Sequence, residues 1–214
     1  MKFFNLITLA SLVSAFPQFR RQETVVGTIK SAVDTLADTT LTTLTIIENA
    51  AATLANTTRG TDATSEAQIA IQAGLEEISD ALTTATTKIA RVTTGAVGNV
   101  GGQVSRLSPR QVVQLTAALR RTIGTLDDTL DTVSGLLKDL TPEVQATIEA
   151  ELNALRRSVN PLLRPLLLFT AAVRNAVPRL GGGVILGLDS AFTNLIQLQR
   201  ELVSDIGVPR MGGI

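Results

Sequence analysis

From Val112 to Leu140 an aliphatic side chain returns every three or four residues: Val112, Leu115, Leu119, Ile123, Leu126, Leu130, Val133, Leu137 and Leu140. An α-helix turns once in 3.6 residues, so this spacing lines one face of a single long helix, whereas a strand would scatter it over both faces. The rhythm recurs along the chain. Ile71, Leu75, Ile78, Leu82, Ala85, Ile89 and Val92 alternate steps of four and three, a heptad-like seam. Shorter versions run through Val26, Ile29, Val33 and Leu36, through Val144, Ile148, Leu152, Leu155 and Val159, and through Ile185, Leu188, Phe192 and Leu195. Val, Ile and Thr favour strands, but the helical spacing outweighs that preference over windows this long. The fold expected is all-α, an elongated antiparallel bundle of five or six amphipathic helices, with short connections making antiparallel neighbours.

The boundaries carry their own signals. A first helix is expected over about Glu23–Ala55, ending in a loop that holds Gly60. Ser65-Glu66-Ala67-Gln68 fits a capping box opening the second helix. Gly95–Leu107 contains Gly95, Gly98, Gly101 and Gly102 and reads as a hinge. Ser108 caps the third helix, with Pro109 at the first helical position, where its missing N–H costs nothing. Gly124 and Gly135 weaken that helix. Thr141-Pro142 repeats the device, Asn160-Pro161 restarts or kinks the fourth segment, and Gly207-Val208-Pro209 stops the last.

The first residues address the chain outward. Lys2 precedes an apolar run, Phe3–Val13, that closes on Val13-Ser14-Ala15. That order is a secretory signal peptide over residues 1–15, cut after Ala15; the run is too short to span a bilayer. Arg20-Arg21 then forms a dibasic processing site ending a pro-segment of residues 16–21, as cut by a kexin-type protease. The remaining single domain is residues 22–214. Losing Lys2, Arg20 and Arg21 removes three positive charges from a chain of net charge zero and leaves −3. That balance, without a basic cluster, gives no footprint for nucleic acid or anionic lipid heads.

The chain has no Cys, His, Trp or Tyr. Disulfides are therefore impossible, the commonest zinc and copper ligands are missing, and neither a Ser-His-Asp nor a Cys-His nucleophile can be assembled. No cofactor, no metal and no enzyme activity are expected. Four of the six Phe lie in the leader, which leaves Phe169 and Phe192. Threonine is abundant, at 29 residues; its clusters read either as small polar residues on solvent-facing helix flanks or as sites of O-linked sugar. Asn56-Thr57-Thr58 is an N-glycosylation sequon at a helix end, so Asn56 is the expected acceptor.

Other clusters read as ordinary surface. Gly98-Asn99-Val100-Gly101-Gly102 and Gly181-Gly182-Gly183 lack the Lys and Ser/Thr of a phosphate loop. Asp127-Asp128-Asp131 and Glu76-Glu77-Asp80 lack calcium-loop spacing. Pro161–Val177 is apolar nearly all round. It reads as a central buried helix or as an element touching a surface or lipid; Arg164 and Arg174 argue against a membrane span.

The leader, the dibasic site, the lack of cysteine and the Ala/Thr/Leu-rich helices resemble the hydrophobic surface-binding protein family of filamentous fungi, which includes cell-wall galactomannoproteins. The likest stretches are Thr28–Leu36 and Leu126–Leu140, within a pattern covering Val25–Ala176. The resemblance implies a secreted or cell-wall-associated protein that adsorbs to hydrophobic surfaces and helps recruit a secreted hydrolase there. No catalytic residue comes with it. Leu162, Leu166, Leu167, Phe169 and Val173 are the contact residues expected, reached by partial opening of the bundle toward a hydrophobic surface, lipid or cell-wall polymer. The alternatives are a small-lipid carrier with a cavity between helices and a secreted effector that binds a host protein.

Overall fold

The structure is a computed structural model and describes residues 24–56, 62–97, 104, 107–176 and 182–205. Among them lie six helices: α1 (Val25–Asn56), α2 (Asp62–Val97), α3 (Pro109–Asp139), α4 (Pro142–Thr147), α5 (Glu149–Ala176) and α6 (Gly182–Asp205). The leader, with Ala15, Arg20 and Arg21, and most of the Gly95–Leu107 connection lie outside the described residues.

Five long helices form a closed ring in which α1 packs on α2, α2 on α5, α5 on α6, α6 on α3 and α3 on α1. Side-chain contacts fix their directions. Arg121 of α3 reaches Asp34 and Asp38 of α1, at 3.1 and 2.5 Å, and Thr132 reaches Glu48. Gln72 of α2 donates to the Thr147 carbonyl at 2.8 Å, and Ser79 meets Ser158 of α5 at 3.0 Å. Long helices consecutive in the chain therefore run antiparallel, although α1 and α3, and α2 and α5, meet as parallel neighbours. The expected pairing of consecutive helices holds for α1–α2 and α5–α6 but not for α2 and α3, which are not ring neighbours. α3 packs instead on α1.

The aliphatic seams meet as their spacing requires. Ile29, Leu36, Ile47, Ile71, Leu75, Ile78, Leu82, Ile89, Leu115, Leu119 and Leu126 are all essentially buried. Removing each such side chain from water is worth about 1.5–3 kcal/mol, so packing dominates the stability of a chain with no cysteine. The ion pairs contribute little beside it. Lys30–Asp34, Arg121 to Asp34 and Asp38, and Arg174–Asp189 are all substantially exposed, and such pairs bring at most about 1 kcal/mol.

Local expectations divide. Ser108 caps α3 as the sequence requires, and Gln111 completes a capping box: the Ser108 N–H donates to Gln111 Oε1 at 2.8 Å, and the Gln111 N–H to Ser108 Oγ at 3.3 Å. Ser65 is not a cap, because α2 already begins at Asp62. Thr141 stands before Pro142 but makes no side-chain cap bond. The break in the fourth segment falls at Ile148, which is fully buried, and not at Pro161. α5 runs unbroken through Pro161 and Pro165. An interior proline costs about 3 kcal/mol, but Leu162, Leu163 and Leu166 beside these two are completely buried, and their burial outweighs it.

Threonine also divides. Thr35, Thr42, Thr45 and Thr87 face solvent, but Thr40, Thr43, Thr93, Thr116, Thr122, Thr129 and Thr170 are buried. Five of these, Thr93, Thr116, Thr122, Thr129 and Thr170, donate to the carbonyl four residues back. That bond satisfies the hydroxyl within its own helix and lets the methyl group pack. Sequence reasoning that placed the threonines on solvent flanks missed this use of the residue.

At Gly124 and Gly135 an added Cβ would meet nothing within 4 Å. Gly124→Ala and Gly135→Ala are therefore each expected to stabilise the protein by about 1 kcal/mol through helix propensity. Thermal unfolding checks this: each midpoint should rise by roughly 2–4 °C.

Candidate functional site

The residues expected to contact a surface sit on α5, on the side that α2 and the core cover. Leu162, Leu166 and Val173 are fully buried, Phe169 is 2% exposed and Leu167 is half-buried. In the closed ring only Leu167 borders solvent. The run that looked apolar all round is amphipathic in place: Pro161, Arg164 and Leu168 form its outer side, and Leu168 is 59% exposed. Its length and residue types hid this, because an outward leucine and a proline read the same as inward ones.

The other marked positions are on the surface. Asn56 is exposed at the last turn of α1, and its amide donates to the Ala52 carbonyl at 2.8 Å. Thr57 and Thr58 of its sequon lie outside the described residues. Glu76, Glu77 and Asp80 are exposed on α2. Among the described residues no group of His, Cys, Asp or Glu converges to hold a metal ion, and no helix is long and apolar enough to cross a membrane.

Among the concave features of the ring's described surface, one lies between α3 and α5. α6 spans 24 residues against 31 in α3. Gly187, in the first quarter of α6, lies against Thr116 and Arg120 of α3, while Glu201 near its end lies by Asp127. α6 thus runs parallel to α3. Leu126, Leu130, Val133 and Leu137 of α3 face Leu152, Leu155 and Val159 of α5 across a groove of about 90 Å³. Thr129, Ser134 and Arg156 complete its wall; the Arg156 guanidinium donates to Asn153 Oδ1 at 3.3 Å. Pockets that enclose a small molecule run to roughly 300–1,000 Å³. The groove is too small to hold a lipid.

Carboxylates gather where Glu201 of α6 meets α3. Partial burial, then Asp131, Glu201 and Asp128, push the Asp127 carboxyl above the usual aspartate value. A raised folded-state value means that charged Asp127 opposes folding at neutral pH. That penalty is relieved as pH falls through the raised value toward the unfolded one of 3.8. Asp127→Asn is expected to be more stable than the parent at pH 7 and to lose that advantage near pH 4, which unfolding in denaturant at the two pH values measures.

No protein-family model, no curated protein and no solved structure matches this chain.

Proposed function

We propose that the protein is secreted, acts without catalysis and adsorbs to hydrophobic surfaces, exchanging helix-on-helix contacts for contacts with the surface. The observation that carries this reading is the character of the core. Each long helix buries an aliphatic face against other aliphatic faces, and the ion pairs of Arg121 with Asp34 and Asp38 and of Arg174 with Asp189, which link helices, are exposed. Apolar area gains about 25 cal/mol per Å² whether it leaves water for a neighbouring helix or for wax, lipid or polymer. Opening against such a surface therefore loses little burial. With no disulfide available, no covalent link resists it. Leu162, Leu166, Leu167, Phe169 and Val173 are then contact residues of the opened form and core residues of the closed one. The resemblance to the fungal surface-binding family supports a cell-wall or extracellular setting, with a secreted hydrolase as partner. The narrowness of the α3–α5 groove disfavours carriage of a whole lipid.

Depletion from solution tests the reading. Octyl-substituted agarose should remove the protein while unsubstituted agarose leaves it, and a mild detergent should release it folded. Equal retention on both matrices, or on neither, overturns the assignment.

A further inference from the structure

We infer that the outward stripe of α3 is a contact surface for a second copy of this chain, with the two copies antiparallel about a two-fold axis at Gly124. The inference goes beyond the adsorption reading and does not depend on it, because the closed ring already presents this face.

Helical spacing builds the stripe. Val113, Ala117, Arg120, Asp127, Asp128 and Asp131 are exposed on α3, and at 3.6 residues per turn they follow one another along a single side of the helix. Gly124 stands at the middle of that side, where an added Cβ would meet nothing within 4 Å. Charge changes sign at the glycine. Arg110, Arg120 and Arg121 precede it, and Asp127, Asp128 and Asp131 follow it. Arg121 is held by Asp34 and Asp38 of α1. Among the described residues, Arg120 and the three aspartates form no ion pair. Partial burial, and then the like charges of Asp131, Glu201 and Asp128, push up the Asp127 carboxyl, and no ion pair within the copy relieves that crowding.

A two-fold axis at Gly124 supplies the missing cations. Reversing the direction of α3 about that residue sets position 120 opposite positions 127 and 128 of the second copy, and position 117 opposite position 131. Each contact occurs twice, as an isologous interface requires. Gly124, without a side chain, lets the two backbones approach where they cross. Ala117 leaves room beside Asp131 of the second copy. Arg110 and Lys138 stand at the outer ends of the stripe, where two crossing helices have diverged. Val113, Ala117 and Arg120 of α3 also line a shallow hollow with Val184 and Gly187 of α6, about 470 Å³ in volume. The same two-fold sets the acidic turn of the second copy over that hollow.

Charge complementarity selects the occupant. A polyanion laid along the stripe would meet three aspartates, and a polycation would meet the arginines. A second copy carries the same order reversed, so that basic and apolar positions face acidic ones along the whole contact. Val113, at 53% exposed, adds apolar area to the basic half. From Val113 to Asp131 the stripe is about 27 Å long, the scale of a weak, reversible interface and not of a permanent one.

Sedimentation equilibrium tests the inference on the intact protein. In about 10 mM salt the mass should rise with protein concentration from one chain toward two. In about 1 M salt, where charges are screened within about 3 Å, it should stay near that of one chain. Arg120→Asp and Asp127→Arg should each weaken the dimer about tenfold or more, because each sets like charges opposite one another. An equimolar mixture of the two variants should recover it, because every opposed pair is then unlike. A mass that grows beyond two chains overturns the two-fold arrangement. A single-chain mass under all conditions overturns the association, and failure of the mixture to recover it overturns the charge pairing. A second variant reads position without altering charge. The native chain has no cysteine, so Gly124→Cys places one thiol on the axis, and a short bis-maleimide in low salt should join two copies there. Thr83→Cys, exposed on α2, should remain unjoined. Equal joining at positions 83 and 124, or none at 124, contradicts the contact.

Discussion

Phe169→Ala should lower stability by about 3–5 kcal/mol, a large share of the roughly 5–15 kcal/mol that a domain possesses. Phe169 is 2% exposed and among the largest side chains fully enclosed by the core. Its truncation removes the ring's transfer energy and leaves a cavity that the surrounding helices fill only partly. The neighbouring Leu168 is 59% exposed, and Leu168→Ala should change stability by no more than about 0.5 kcal/mol. Urea unfolding of the two variants reads the difference as a shift in midpoint. Equal losses at positions 168 and 169 would mean that α5 is not rotated as described.

Gly74→Leu should cost about 3 kcal/mol through overpacking, in a helix where replacing glycine would otherwise stabilise. A Cβ at position 74 would stand 2.7 Å from Ile47 Cγ1, 3.0 Å from Ile47 Cδ1 and 3.3 Å from Thr43 Cγ2. Ile47 has no exposed surface and cannot swing aside. Even Gly74→Ala sets a propensity gain of about 1 kcal/mol against an overpacking cost of about 1–3 kcal/mol, and the cost wins. Gly74→Ala combined with Ile47→Ala should cost less than the sum of the two single substitutions. A double-mutant cycle on the folding free energy gives that coupling, because the two residues touch. Strict additivity would place α1 and α2 farther apart than they are here.

The contrast among glycines shows where sequence reasoning reaches its limit. Gly74, Gly124 and Gly135 all stand inside long helices, and only the weakness of the latter two was legible. Gly74 is distinguished by what α1 places opposite it, which no local pattern records. Spacing that repeats within one chain segment was readable: the apolar faces of α1, α2 and α3, and the cap at Ser108. Relations between segments were not. The placement of α3 beside α1, the position of α6 between α3 and α5, and the groove between those two helices arise from how helices meet. The continuity of α5 through Pro161 and Pro165 was hidden for a related reason. Local proline chemistry predicts a break, and the burial of Leu162, Leu163 and Leu166 prevents it. The candidate contact residues were legible as strongly apolar, but their core position depends on the rotation of α5 within the ring.

The function proposed depends on the interchange of internal and external apolar contacts, so the most direct measurement is the tension of a hexadecane–water interface in contact with the protein. The native protein should lower that tension without added denaturant, and protein washed from the interface should show the same helical circular dichroism as before contact. Tension that falls only after unfolding in urea, or that stays at the value of buffer alone, would contradict the account.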